Sequence, residues 1–110
     1  MQLTKSKEKD VTVIAVSGEV DLNSSPKLRN EFHALLGAGV KKFVINFEGV
    51  SYIDSSGLAT CIELVQELQA NGGTLALVNL VKKIRNIFEV AKVDRLFVIH
   101  NTLDEAFAAI

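Results

Sequence analysis

The segment Tyr52-Ile53-Asp54-Ser55-Ser56-Gly57-Leu58 sets a carboxylate, two hydroxyls and a glycine together, immediately before a stretch with helical spacing. The first N–H groups of a helix have no intrahelical partner, and the helix dipole favours negative charge beside them. Two readings follow. Asp and Ser are favoured N-caps of any helix, so the segment is explained by capping alone. The same free amides also make an anion site, the functional reading. A second acidic segment, Ser17-Gly18-Glu19-Val20-Asp21, lies upstream.

Catalysis lacks parts. A nucleophilic serine needs a base within hydrogen-bond reach, and the elbow that exposes one reads Gly-x-Ser-x-Gly. No glycine stands at that spacing before Ser55 or Ser56. His33 falls inside the first expected helix and His100 just past the last expected strand, neither followed by a convincing acid partner. Glu19, Asp21, Glu48 and Asp54 supply carboxylates without forming an acid–base set, and no Gly-Lys-Ser/Thr phosphate loop occurs. Asp54 as a phosphate-accepting aspartate, in the manner of receiver domains, also fails. The acids Glu19 and Asp21 are spaced apart, and His100-Asn101 replaces the lysine expected after the last strand. The expectation is a protein with no catalytic residues, cofactor or metal of its own.

The elements that would position these residues are readable from periodicity. A weak strand around Gln2 to Lys5 and a polar turn over Lys5 to Asp10 precede Val11 to Val16, a β-branched strand. Ser25 before Pro26 reads as an N-cap, and Leu28, Phe32, Leu35 and Leu36 form one apolar helical stripe ending at Gly37 and Gly39. Phe43 to Phe47 reads as a buried strand and Glu48 to Tyr52 as a loop. Leu58, Cys61, Ile62, Val65 and Leu68 then mark a second helix, stopped by Asn71-Gly72-Gly73. Thr74 to Val78 is a strand, Val81 to Phe88 a third helix, Leu96 to Ile99 a strand, and Leu103 to Ile110 a closing helix capped by Thr102.

The order is ββαβαβαβα, an α/β fold with a mostly parallel mixed sheet of about five strands. Phe43, Ile45 and Phe47 put large side chains on one strand face, opposite Val44 and Asn46. A sheet covered on both faces would be apolar on both, so the helices are expected mainly on one face, the other being partly exposed.

Composition sets the limits. The 110 residues suit one domain, and 48% hydrophobic with 23% charged residues is ordinary for a folded chain. Twelve basic against 13 acidic residues leave a formal charge of −1, which argues against a nucleic-acid partner. No apolar run approaches the ~20 residues a bilayer requires, so direct membrane insertion is not expected. The N-terminal residues show no apolar signal segment. One cysteine, Cys61, rules out an internal disulfide and fits a reducing compartment. It lies on the apolar stripe of the second helix and is expected in the core. Lys82, Lys83 and Arg85 read as a solvated helix face.

Two motifs together carry a resemblance. Gly18-Glu19-Val20-Asp21 ahead of a Pro-containing helix start, and Asp54-Ser55-Ser56-Gly57-Leu58 before the second helix, are in the order and separation of the anti-sigma factor antagonists of the STAS domain family. Gly72 to Val78 extends the match, which spans essentially residues 1–110 as one STAS domain.

The resemblance implies a cytoplasmic bacterial protein of a partner-switching pathway in transcription regulation. It binds an anti-sigma factor that is also a serine kinase. Phosphorylation at Ser56 releases it, and a PP2C-type phosphatase reverses the modification. The partner contacts it implies are Glu19, Asp21, Asp54, Ser55, Ser56, Gly57 and Thr60, in a monomer or weak dimer. Glu63 and Glu67 depart from the resemblance, standing where members tend to carry basic or neutral residues. The alternative it leaves open is a STAS subunit of a lipid-transporting membrane complex, or another partner-switching module without a sigma factor.

Overall fold

The computed structural model describes all 110 residues. In chain order they form β1 (Gln2–Glu8), β2 (Val11–Val20), α1 (Ser25–Gly37), β3 (Lys42–Ile53), α2 (Ser55–Ala70), β4 (Thr74–Val78), α3 (Lys82–Val90), β5 (Val98–His100) and α4 (Leu103–Ala109), with a 3₁₀ turn at Asp94–Leu96. The order is the one expected from sequence. The strands lie in the sheet as β1-β2-β3-β4-β5, with β1 antiparallel to β2 and every other pair parallel.

Helices α1, α2 and α3 pack on one face. Leu28 and Phe32 from α1, Cys61, Leu64 and Leu68 from α2, and Ile84 and Phe88 from α3 meet Ile14, Phe43, Ile45, Phe47 and Leu77 from the strands. Phe88 sits edge-on between Phe47 and Phe97, with centroids 5.9 and 5.5 Å away. The short α4 covers part of the opposite face, where Ala106 joins Val11, Val13, Val44, Ala76 and Val78 in a smaller core. The second face is therefore more covered than its small residues suggest, because Val44, Ala76 and Val78 match the low relief of α4 rather than solvent.

Four boundaries differ from the sequence reading. Lys5 to Glu8 belongs to β1, and only Lys9 and Asp10 form the hairpin turn, Glu8 pairing directly with Val11. The polar composition of Lys5 to Glu8 reflects the fully exposed part of an edge strand, and charged side chains protect such an edge from pairing with other chains. Helix α1 is entered from Ser24 rather than Ser25, which is buried inside the first turn. Strand β3 runs through Glu48 to Tyr52 instead of ending in a loop. Its pairing with β2 shifts register between Ala15 and Ser17 and again between Gly18 and Glu19. Those bulges break the two-residue alternation, so that Phe47, Val50 and Ile53 are buried at intervals of three. Gly49 permits the crossing, since a Cβ there would lie 2.7 Å from Ser17 Cβ. Leu96 falls in the 3₁₀ turn, so β5 begins two residues later than expected.

The consequence is positional. The extension of β3 keeps it paired to β2 up to Val20↔Ile53, so the two strands end side by side. The chain leaves them into α1 and α2, bringing the two acidic segments to one end of the sheet.

Candidate functional site

Asp54 is the N-cap of α2 in extended conformation, and its Oδ1 accepts from the N–H groups of Ser56 at 2.9 Å and Gly57 at 3.1 Å. The same oxygen accepts from the Ser56 hydroxyl at 2.6 Å. The capping reading of this segment is thus realised. The Ser56 hydrogen bond, with help from the N–H groups of Gly57, Ser56 and Leu22, holds the Asp54 carboxyl below its ordinary 3.8 despite partial desolvation. Leu22 comes from the other loop, so the charge of Asp54 is felt across the gap between them.

Ser56 is half-buried, with its hydroxyl bonded to Asp54, and Ser55 is exposed. Ser56 has a carboxylate rather than a histidine as neighbour; His33 instead pairs with Glu67 at 3.2 Å. Thr60 is only 1% exposed and donates its hydroxyl to the Ser56 carbonyl at 3.0 Å. Gly57 is also buried, and a Cβ there would stand 2.7 Å from the Val20 carbonyl oxygen and 2.7 Å from Ile53 Cγ1. Gly57 and Thr60, which the resemblance places among the partner contacts, therefore shape the site from beneath and do not line its surface.

The companion loop is built around Asp21. Its Oδ1 accepts from the N–H groups of Asn23 and Ser24, both at 3.0 Å. The Ser24 hydroxyl donates to the Glu19 carbonyl at 2.7 Å and accepts from the Asp21 N–H at 2.9 Å. Asp21 is therefore half-buried and spends part of its carboxylate on its own loop, whereas Glu19 is exposed. The Asp54 N–H donates to the Val20 carbonyl at 3.1 Å, tying the two loops together.

Sequence reasoning missed Ser24 and Leu22. Ser24 is the hub of the Asp21 loop, a role hidden among the three consecutive polar residues Asn23, Ser24 and Ser25. Leu22 is 74% exposed, and an apolar residue within an acidic turn was the available signal. Tyr52, opposite Glu19 in the ladder, is exposed, while Ile53 beside it is buried. The outer surface at this end of the sheet thus combines Glu19, Asp21, Asp54 and Ser55 with two apolar side chains. It suits a protein surface that is basic or dipolar with an apolar rim. Cys61 is buried beneath α2, and burial pushes its thiol up to about 12, so it takes no part. Lys82 and Lys83 are exposed, and Arg85 lies 3.8 Å from Glu89 on its own helix.

Comparison with known proteins agrees with this fold. The family model for the STAS domain matches residues 2–106. The anti-sigma-B factor antagonist of Bacillus subtilis is 33% identical over 86 residues, covering 78% of this chain and 77% of that protein. The crystal structure of an anti-sigma factor antagonist from Mycobacterium paratuberculosis superposes with a TM-score of 0.90 at 25% identity, over 99% of this chain and 92% of that one. The Bacillus cell fate determinant SpoIIAA, solved in its phosphorylated form, shares the fold with a TM-score of 0.76 at 24% identity, covering 98% of each chain. No helix here is long and apolar enough to cross a membrane.

Proposed function

The chain belongs to the STAS domain family, and from that premise we propose that it is an anti-sigma factor antagonist switched by phosphorylation of Ser56. The observation that carries the reading is the Ser56 hydroxyl, held at the rim of the acidic loop pair by Asp54. In the unmodified state Glu19, Asp21, Asp54 and Ser55, with Leu22 and Tyr52, dock an anti-sigma factor that is also a serine kinase. Asp54 draws the Ser56 proton inward, leaving the oxygen's lone pairs free to accept a phosphoryl group. The new bond joins Ser56 Oγ to the γ-phosphorus of ATP; the bond from that phosphorus to the β,γ-bridging oxygen breaks, ADP leaves, and the hydroxyl proton passes to solvent. A PP2C-type phosphatase hydrolyses the ester. The 110 residues act as one STAS unit, in the cytoplasm, as a monomer or weak dimer.

The physical cause of release is local. A phosphoserine adds about −1.5 to −2 charges, and here it abuts the Asp54 carboxylate. The amides that would otherwise soothe it are already taken by Asp54 Oδ1. The phosphate must therefore project from the docking surface. A loss of ~3 kcal/mol in partner affinity is a change of about 100-fold.

The test uses the cognate kinase with ATP and calorimetry of the complex. Ser56→Ala abolishes modification whereas Ser55→Ala does not, and Ser56→Asp weakens the complex by about 100-fold. Modification elsewhere would overturn the assignment. So would a complex indifferent to Ser56→Asp, the behaviour of a permanent subunit of a transport complex.

A further inference from the structure

Two turns along α2 from Ser56, Glu63 and Glu67 project from one helix face toward His33 on α1. His33 Nε2 lies 3.2 Å from Glu67 Oε1 and 3.5 Å from Glu63 Oε1. The three atoms all lie within 4.8 Å of one another. Arg29 Nε binds the other Glu63 oxygen, Oε2, at 3.1 Å, which turns Oε1 toward the imidazole.

Each carboxylate has one hydrogen-bonded partner, Arg29 for Glu63 and His33 for Glu67, yet both Oε1 atoms converge on the same imidazole nitrogen. An imidazole nitrogen carries at most one proton, so it serves one of the two carboxylate oxygens converging on it. The carboxylates repel each other across one helical turn, and Arg29 offsets only one of them. We propose that His33, Glu63 and Glu67 form a surface site for a divalent transition ion of the zinc class, bridging α1 and α2. A tetrahedral ion with bonds of about 2.0–2.1 Å holds its ligands about 3.3–3.4 Å apart, a separation that falls between the two distances to His33. The side chains are 46%, 38% and 37% exposed, so water reaches the fourth position. One nitrogen and two oxygens with an open corner match zinc, whereas magnesium requires near-octahedral oxygen coordination. Arg29 acts behind the site, orienting Glu63 as outer-shell partners orient ligands. The inference does not rest on the modification of Ser56.

The full-length protein, labelled with ¹⁵N, is titrated with zinc chloride at neutral pH. The expected result is saturation at one equivalent, with shifts centred on the His33 ring and the facing turns of α1 and α2, and a raised thermal midpoint. His33→Ala and Glu67→Gln, both at positions outside the core, keep the metal-free midpoint and each weaken zinc binding more than about tenfold. Magnesium at the same concentration moves none of these signals. Absence of saturable binding, undiminished binding by His33→Ala, or shifts centred on His100 or Cys61 would each overturn the site.

Discussion

Asp54 asks one oxygen to cap a helix and to hold the hydroxyl of Ser56. That shared use links the charge of the site to its modification. The carboxyl titrates below 3.8 chiefly because Ser56 donates to it. A carboxyl whose folded value is depressed adds stability above its unfolded value, and the gain is lost as pH falls through the folded one. Asp54 thus belongs to the acid limb of the stability curve and contributes in full at neutral pH. Ser56→Ala removes the largest cause, so the Asp54 carboxyl should move up toward its ordinary value and the acid limb should become shallower. A carbon-detected titration of the side-chain carboxyls checks this; an unmoved Asp54 would show that the backbone amides alone set its charge. Phosphorylation removes the same donor and adds a like charge, so it should shift Asp54 further upward than Ser56→Ala does.

The junction of β2, β3 and α2 decides whether that chemistry is presented at all. Gly57 lets the first turn of α2 rest on the Val20 carbonyl, with no room for a Cβ at 2.7 Å. Gly57→Ala should therefore push the helix start away from β2 and destabilise the fold by about 1–3 kcal/mol, the usual cost of overpacking. Urea unfolding measures the loss; a midpoint within error of the parent would mean that the backbone yields freely there. The helices were legible in the sequence because their apolar stripes are regular, and the Asp54 cap because Asp and Ser announce a helix start. The C-terminal half of β3 was not, since two bulges erase the alternation that identifies a strand. For the same reason the meeting of the two loops could be read only through resemblance: spacing along the chain says nothing about Val20 and Ile53 ending side by side. Ser24 stayed hidden because its role is to bond backbone groups of Glu19 and Asp21, which leaves no pattern of side-chain types.

The site stands on a packed body with little freedom to transmit a change. Beneath it Val20 and Ile53 are buried, and they continue into the core that holds Phe47, Phe88 and Phe97 edge to face. Close-packed interiors resist small displacements instead of deforming smoothly. The loops, by contrast, are held by side-chain hydrogen bonds at the surface, where rearrangement exposes no apolar area. Phosphate at Ser56 should therefore alter the Glu19–Ser24 loop and the opening turns of α2 and leave the rest in place. In amide spectra of modified and unmodified protein, shifts should gather between residues 19–24 and 51–61. The signals of β1, β4, β5 and α4 should coincide. The smaller core around Ala106 is a sensitive witness, because it lies on the opposite face of the sheet and is reached only through the strands. Shifts at Ala106, Val44 or Val78 would mean that the sheet itself moves, and release would then have to be explained by a change of the entire fold rather than by charge at the docking surface.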